Sequence, residues 1–413
     1  MTRAADEPRP GFTMDRRPSA ERRVRGARIA LAHDWLVSLR GGEQVLDRLA
    51  RLVIEDHKPA GLYVLTDTRR PMTEAIDAFE HVRSSLDRIP MARRRLRRWM
   101  LPWYPRGVES LRIKLARAHE HEPIDLLLST SSTAIKALSP PPGVPHLCYC
   151  HTPARFLWSQ EDQYTSGRGM GARLRRAGLN RHGDRLREWD VQTVRAVDTF
   201  LANSKHTRDL IQRVYKREAR VVYPPVRAEF FTPTSEERQD YWLLVGALEP
   251  YKRADLAIDA AIQANARLLV VGDGSQAKAL RAHAKRVERQ VRKARGLSGR
   301  VEFMGRVDDE QLRALYRRAR LLVFPQVEDF GIVPLEAQAC GTPVVARHDG
   351  GALETVLEGR TGVFFEDPNP TALAEAAKKC PQDVGENCRA NAERFSEGVF
   401  DEKMRAEIAR MLR

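Results

Sequence analysis

The chain lacks any run of 18 or more apolar residues, so the sequence offers no helix able to span a bilayer. Cysteine is scarce: five in 413 residues, an odd number without framework spacing, which argues against a disulfide scaffold and suits a reducing cytoplasm. Acidic residues are outnumbered, 55 against 70 Lys and Arg, and leave a net charge of +15. Residues 1–26 are rich in Arg and Pro and have no apolar core of the kind a secretory leader needs, so a disordered basic tail is expected there.

What is present is ordinary globular material, 42% hydrophobic, in a chain longer than one core usually serves. Short apolar blocks alternate with helical patterns, twice over. In the first half, strands are expected at 28–33, 125–130, 145–150, 199–204 and 219–226, with helices such as GEQVLDRLARLV and KHTRDLIQRVY between them. The second half restarts with strands at 241–248, 266–274, 301–307, 319–326 and 342–351. Such alternation predicts an α/β fold of two doubly wound, parallel-sheet, Rossmann-like domains. Pro224 and Pro225 mark the boundary, dividing 27–226 from 227–394, and 395–413 reads as a closing amphipathic helix.

The most informative stretch is EDFGIVPLEAQACGTPVVA, from Glu328 to Ala346. The block before it reads as a buried strand, so Glu328 to Val333 is expected to form the loop at that strand's carboxyl end. Pro334 suits the first turn of a helix and Gly341 the residue beyond its end, which puts Glu336 in the first turn. Open α/β sheets bind ligands outside the carboxyl ends of their strands, and a helix N-terminus presents free N–H groups to anions. Two carboxylates bracketing exposed amides suit a ligand that joins sugar hydroxyls to phosphates. The plainer alternative is a strand, a turn and a helix whose glutamates favour the dipole.

With Phe330, Gly331 and the CGTPVV run included, this stretch resembles the signature of the retaining glycosyltransferases of family 4, which share the two-domain GT-B architecture. The resemblance covers most of 27–395. It implies that Glu328 meets the donor sugar and Glu336 the ribose, while backbone amides of Phe330, Gly331, Ile332 and Val333 meet sugar and diphosphate. It implies that Gly41 and Gly42 in HDWLVSLRGGEQVL touch the donor from the other domain, and that His151 in CYCHTP lies near the donor sugar. Lys252 in GALEPYKRAD matches the phosphate-binding lysine, and Arg306 with Val307 the element that reads the base. The closing helix is implied to cross back onto the first domain.

One departure stands out. The family commonly carries arginine directly after the glycine of the second domain's first strand, and this chain has Ala247 there. Arg253 is the substitute the sequence suggests for the missing positive charge. Cys148, Cys150 and His151 invite a metal reading, but no second ligand pair of recognised spacing accompanies them, and no metal or cofactor is expected.

Residues 88–118 hold ten Lys and Arg against one acid, and 168–187 seven Arg against one. Arg94, Arg97 and Arg98 interleaved with Trp99 and Trp103 suit an anionic membrane surface, which points to peripheral attachment on the cytoplasmic face and a lipid-linked or polysaccharide acceptor. No nucleic-acid module supports the rival reading of the charge. The phrases HDWLVSLRGGEQVL, YCHTPARFLW, NSKHTRDLI and GALEPYKRADLAI most resemble the mannosyltransferase-like branch that builds O-antigen and exopolysaccharide, with GDP-mannose as first donor and UDP-glucose second. A sugar-nucleotide epimerase and a catalytically silent nucleotide-sugar-binding protein stay open as other classes.

Overall fold

The central strands in both halves of the chain are short apolar runs buried on both faces, the pattern a parallel sheet covered by helices demands. The computed structural model describes residues 26–39, 41–89, 100–158, 170–296 and 299–413. The first sheet comprises β1 Arg28–Leu36, β2 Lys58–Asp67, β3 His81–Arg83, β4 Leu126–Ser131, β5 His146–Cys150, β6 Thr199–Ala202 and β7 Ala219–Val221. Its order is β3-β2-β1-β4-β5-β6-β7. The second comprises β8 Tyr241–Val245, β9 Arg267–Val271, β10 Arg300–Gly305, β11 Leu321–Phe324, β12 Val344–Arg347 and β13 Gly362–Phe365, in the order β10-β9-β8-β11-β12-β13. Every strand pairing in both sheets is parallel. The expected α/β class with two Rossmann-like sheets is therefore what the chain adopts.

Three strands escaped the sequence reading. β2 begins Lys58-Pro59 and contains Gly61, residues that disguise a strand, and the register slips opposite them between Ile29 and Leu31. β3 at one edge and β13 at the other are only three and four residues long. β1 runs to Leu36, past the expected end at His33, because Trp35 and Leu36 still pair with Thr66 and Asp67. β7 stops at Val221, well short of 226, since Pro224 and Pro225 lack the N–H a ladder needs.

In each sheet the chain reverses direction of progress once, between β1 and β4 and between β8 and β11. Ligands of open α/β sheets sit at such switch points, beyond the carboxyl ends of the strands. The chain crosses between halves twice, side by side: Val226 N–H donates to Phe395 O at 2.8 Å, and Val226 bridges Ser396. Tyr223, Phe330 and Phe395 pack their rings together there, with centroids 5.0 to 5.7 Å apart. Helix Glu397–Met411 then returns to the first sheet, burying Phe400, Met404 and Ile408 in that sheet's core. Arg48 clamps Asp401 with two parallel hydrogen bonds, and Arg405 holds Glu55 and Asp56.

Candidate active site in the cleft

At the second sheet's switch point, the turn after β8 carries Lys252 and the loop after β11 carries Glu328. The two side chains are ion-paired, Nζ to Oε1, and are 17% and 19% exposed. Gln326 Nε2 donates to the same carboxylate oxygen at 3.0 Å. Burial alone would raise the Glu328 pKa, but the Lys252 ammonium, the Gln326 amide and the Arg155 charge overcome it and hold the carboxyl below its usual range. Lys252 reaches Glu328 by passing over Gly246, whose added Cβ would lie 4.0 Å from three atoms of the lysine side chain. Gly246 itself has φ +153°.

The loop is held rigidly from below. Gly351 N–H donates to Glu328 O at 2.8 Å. A Cβ at Gly351 would come within 2.3 Å of the Phe330 backbone, so only glycine permits this approach. Gly350, with φ +63°, makes a positive-φ turn after β12, where the strand expected to reach 351 has already ended at Arg347. The Phe330 ring is buried, 3% exposed, in the hinge cluster with Val226, Leu335 and Phe395. Its side chain thus anchors the loop, and its contribution to a ligand is confined to the backbone.

Gly331, with φ +92°, starts the helix Ile332–Ala339. That start lies two residues earlier than the expected one at Pro334. Pro334 is third in the helix, where its N–H would still have no partner, so proline is tolerated. Glu336 accordingly lies in the second turn rather than the first. It is buried at 8% exposure and accepts a hydrogen bond from the Tyr316 hydroxyl at 3.0 Å. Burial raises its pKa against the opposing effects of Tyr316 and Arg227. Gly341, φ +86°, follows the helix as expected.

The first sheet faces this loop with three elements. The helix Gly41–Asp56 opens on the two glycines, and an added Cβ on Gly41 would lie 3.7 Å from Ile332 Cδ1, across the cleft. A Cβ on Gly42 would meet His151 Nε2 at 3.7 Å and His33 Cε1 at 3.8 Å. His151 follows β5, with its ring edge-on to Tyr149 at 5.3 Å. Burial, with the His33 and Arg155 charges behind it, lowers its pKa to about 3, so the imidazole is neutral at physiological pH. Arg155, in the short helix Arg155–Trp158, reaches across the cleft to pair with Asp329 beside Glu328. Among the described residues, buried His151 Nε2, Arg155 Nε and Gln326 Oε1 around the cleft have no hydrogen-bond partner. They come from both halves.

Sequence reasoning missed Arg155, Asp329, Gln326 and Asp34. The Asp34 carboxylate accepts the backbone N–H groups of Ser132, Thr133, Ala134 and Ile135 at 2.6, 2.9, 2.8 and 2.9 Å. It thereby fixes the turn after β4 at the first sheet's switch point. A charged residue inside an apolar strand was the one signal available for it.

The other expected site residues are placed as follows. Arg253 takes φ +50° at the start of helix Ala254–Gln263 and turns its guanidinium onto Asp255, with contacts of 3.2 to 3.3 Å. Arg306 is exposed past the end of β10, and Val307 is half-buried against the second sheet's core. Trp103 is 46% exposed; Arg94, Arg97, Arg98 and Trp99 fall outside the described residues, as does most of 1–26. Among the described residues no helix is long and apolar enough to cross a membrane.

Known proteins resemble the chain in sequence and in fold. The model for Glycosyltransferase Family 4 matches residues 39–230, and that for Glycosyl transferases group 1 matches 226–395. D-inositol 3-phosphate glycosyltransferase 2 of Catenulispora acidiphila is 32% identical over 234 residues, covering 49% of this chain and 54% of that protein. The chain spans about half the length of the curated relatives it matches. Sucrose-phosphate synthase from Thermosynechococcus elongatus superposes with a TM-score of 0.70 at 20% identity, covering 94% of this chain and 99% of that one. The Anabaena protein HepE, solved in complex with UDP-glucose, gives a TM-score of 0.63 at 18% identity, covering 92% and 98%. Each half of the chain thus resembles one of the two glycosyltransferase family models, and the two sheets together adopt the GT-B fold of these structural neighbours.

Proposed function

We propose that the protein is a retaining glycosyltransferase that moves a hexose from a nucleotide-sugar to a hydroxyl of a lipid-linked or polysaccharide acceptor. The observation that carries this reading is the Lys252–Glu328 pair at the second sheet's switch point, faced by His151 and the Gly41–Gly42 helix start from the first.

Breaking the bond between sugar and diphosphate builds positive charge at the anomeric carbon and negative charge on the departing phosphate. The Lys252 ammonium and the N–H groups at the start of helix Ile332–Ala339 stabilise that phosphate. Glu328, held ionised, accepts hydrogen bonds from the sugar hydroxyls, so its pairing with Lys252 opens as the donor enters. Glu336 holds the ribose. Neutral His151 offers a hydrogen bond to the transferred sugar without adding charge. The acceptor attacks from the face of departure, and the leaving phosphate takes its proton. Glu328 and Glu336 are therefore not an acid and base working on opposite faces of the ring. No metal ion or other cofactor is part of this reading, in which the protein's own cations and amides meet the charge.

GDP-mannose is the first donor and UDP-glucose the second; the UDP-glucose complex of the Anabaena neighbour favours the latter base. The basic segments 88–118 and 168–187 hold the enzyme on the inner face of the cell membrane, where lipid-linked acceptors are extended. Thermal-shift titration with GDP-, UDP- and dTDP-sugars tests the donor. Stabilisation greatest with GDP-mannose is expected, stabilisation by UDP-glucose alone moves the donor to the second choice, and no shift with any of them sinks the assignment.

A further inference from the structure

The diphosphate of a nucleotide-sugar calls for more positive charge than one lysine carries, and in the second half Lys252 stands beside Glu328. Ala247 brings no charge, and Arg253 is folded onto Asp255. The geometry points to Arg155, from the opposite half, as the second cation for the diphosphate, with Asp329 as the carboxylate that holds its place until the donor arrives. This inference rests on the donor reading above.

Four observations support it. Arg155 lies four residues beyond His151 and crosses the cleft to Asp329, the residue next to Glu328. Its charge acts on the Glu328 carboxylate as well as on Asp329. Its Nε–H is buried and has no partner among the described residues, while 36% of the side chain stays open to solvent. Asp329 itself is 8% exposed and fixed in a loop that the Gly350–Gly351 turn braces.

Two adjacent carboxylates, Glu328 and Asp329, thus hold two cations, one from each half. A diphosphate entering between the halves exchanges both pairs: Lys252 leaves Glu328 free for the sugar, and Arg155 turns from Asp329 to the phosphates. The planar guanidinium suits two phosphate oxygens at once.

The test is calorimetric titration of the full-length protein with GDP and UDP, and with GMP and UMP. In the wild type the diphosphate that matches the donor binds. In Arg155→Gln its affinity falls about tenfold or more, as loss of a charge-assisted contact predicts, while the matching monophosphate is unaffected; Arg155→Lys loses less. Asp329→Asn, which frees the arginine, binds the diphosphate at least as tightly as wild type. A purely structural clasp gives a different result. Both substitutions then weaken diphosphate and monophosphate alike, or leave both unchanged, and either outcome overturns the inference. Should Arg155→Gln fail to fold, the Arg155→Lys and Asp329→Asn titrations decide in the same way. A wild type that binds no nucleotide sinks the donor reading first and this inference with it, whereas binding indifferent to Arg155 sinks this inference alone.

Discussion

Lys252 and Glu328, 76 residues apart in sequence, share a direct ion pair between the carboxyl ends of β8 and β11. Each is less than one-fifth exposed, and each has a task that the pair itself blocks. On the proposed function the lysine has to face a phosphate and the glutamate a sugar. In this state the two charges keep one another desolvated and in place, so the site is organised before the donor enters.

Removing either partner separates function from stability. Lys252→Met is expected to cut turnover by roughly 10²-fold or more, since it withdraws a positive charge from the departing phosphate. Glu328→Gln is expected to cost only about 1 kcal/mol of stability, the pair being partly open to solvent, yet to lower activity as far. Turnover and thermal denaturation of the two variants check this.

Gly42 in the cleft and Gly272 just past the end of β9 should respond oppositely to alanine. A Cβ on Gly42 meets His151 and His33 only at ordinary contact distances of 3.7 to 4.0 Å. Gly42→Ala should therefore fold, gaining up to about 1 kcal/mol of helix propensity, while crowding the donor and raising its KM. Gly272 has φ +124°, and its Cβ would fall 1.9 Å from Gly246 O. Gly272→Ala is expected to be insoluble or to lose several tens of per cent of its soluble yield. Expression and KM measurements distinguish the two.

Stability should fall with acid through His146. Its Nδ1–H donates to Ala196 O at 2.9 Å, its Nε2 lies 2.7 Å from the Ser129 hydroxyl, and burial lowers its pKa to about 4. The unfolded chain, with a histidine pKa near 6.5, binds a proton that the folded form refuses across that window. Stability contributed by this residue is thus complete above about pH 6.5 and lost as pH falls towards about 4, on the order of 3 kcal/mol. His146→Gln should flatten the fall in melting temperature over that window; an unchanged slope removes His146 as its source.

Asp34 should matter more to stability than any site carboxylate. Asp34→Ala leaves four backbone N–H groups after β4 without their acceptor, with an expected loss of roughly 3 kcal/mol or more. Asp34→Asn, keeping one oxygen, should lose less. Denaturant unfolding of both variants measures the difference.

Much of this was legible in the sequence because it is local. The loop carrying Glu328, the helix after Gly331 and the glycine past its end follow from residue spacing, and the helix Lys205–Tyr215 falls where its pattern put it. The contacts that escaped are long-range. Arg155 and Asp329 are 174 residues apart and belong to different halves, and neither carries a local mark of the other. Arg253 was the nearest cation in sequence to Lys252, but its left-handed backbone sends the side chain to Asp255. β2 was hidden because Pro59 and Gly61 argue locally against a strand that the neighbouring β1 and β3 nonetheless stabilise.

The most direct measurement of the central claim follows the nucleotide released from GDP-mannose and UDP-glucose by the purified protein with a membrane-extracted acceptor, reading the anomeric configuration of the transferred sugar by NMR. The account predicts release of nucleoside diphosphate, an α-linked product from the α-linked donor, and at least a hundredfold loss in Glu328→Ala. Release undiminished in Glu328→Ala, or a product of inverted configuration, contradicts it.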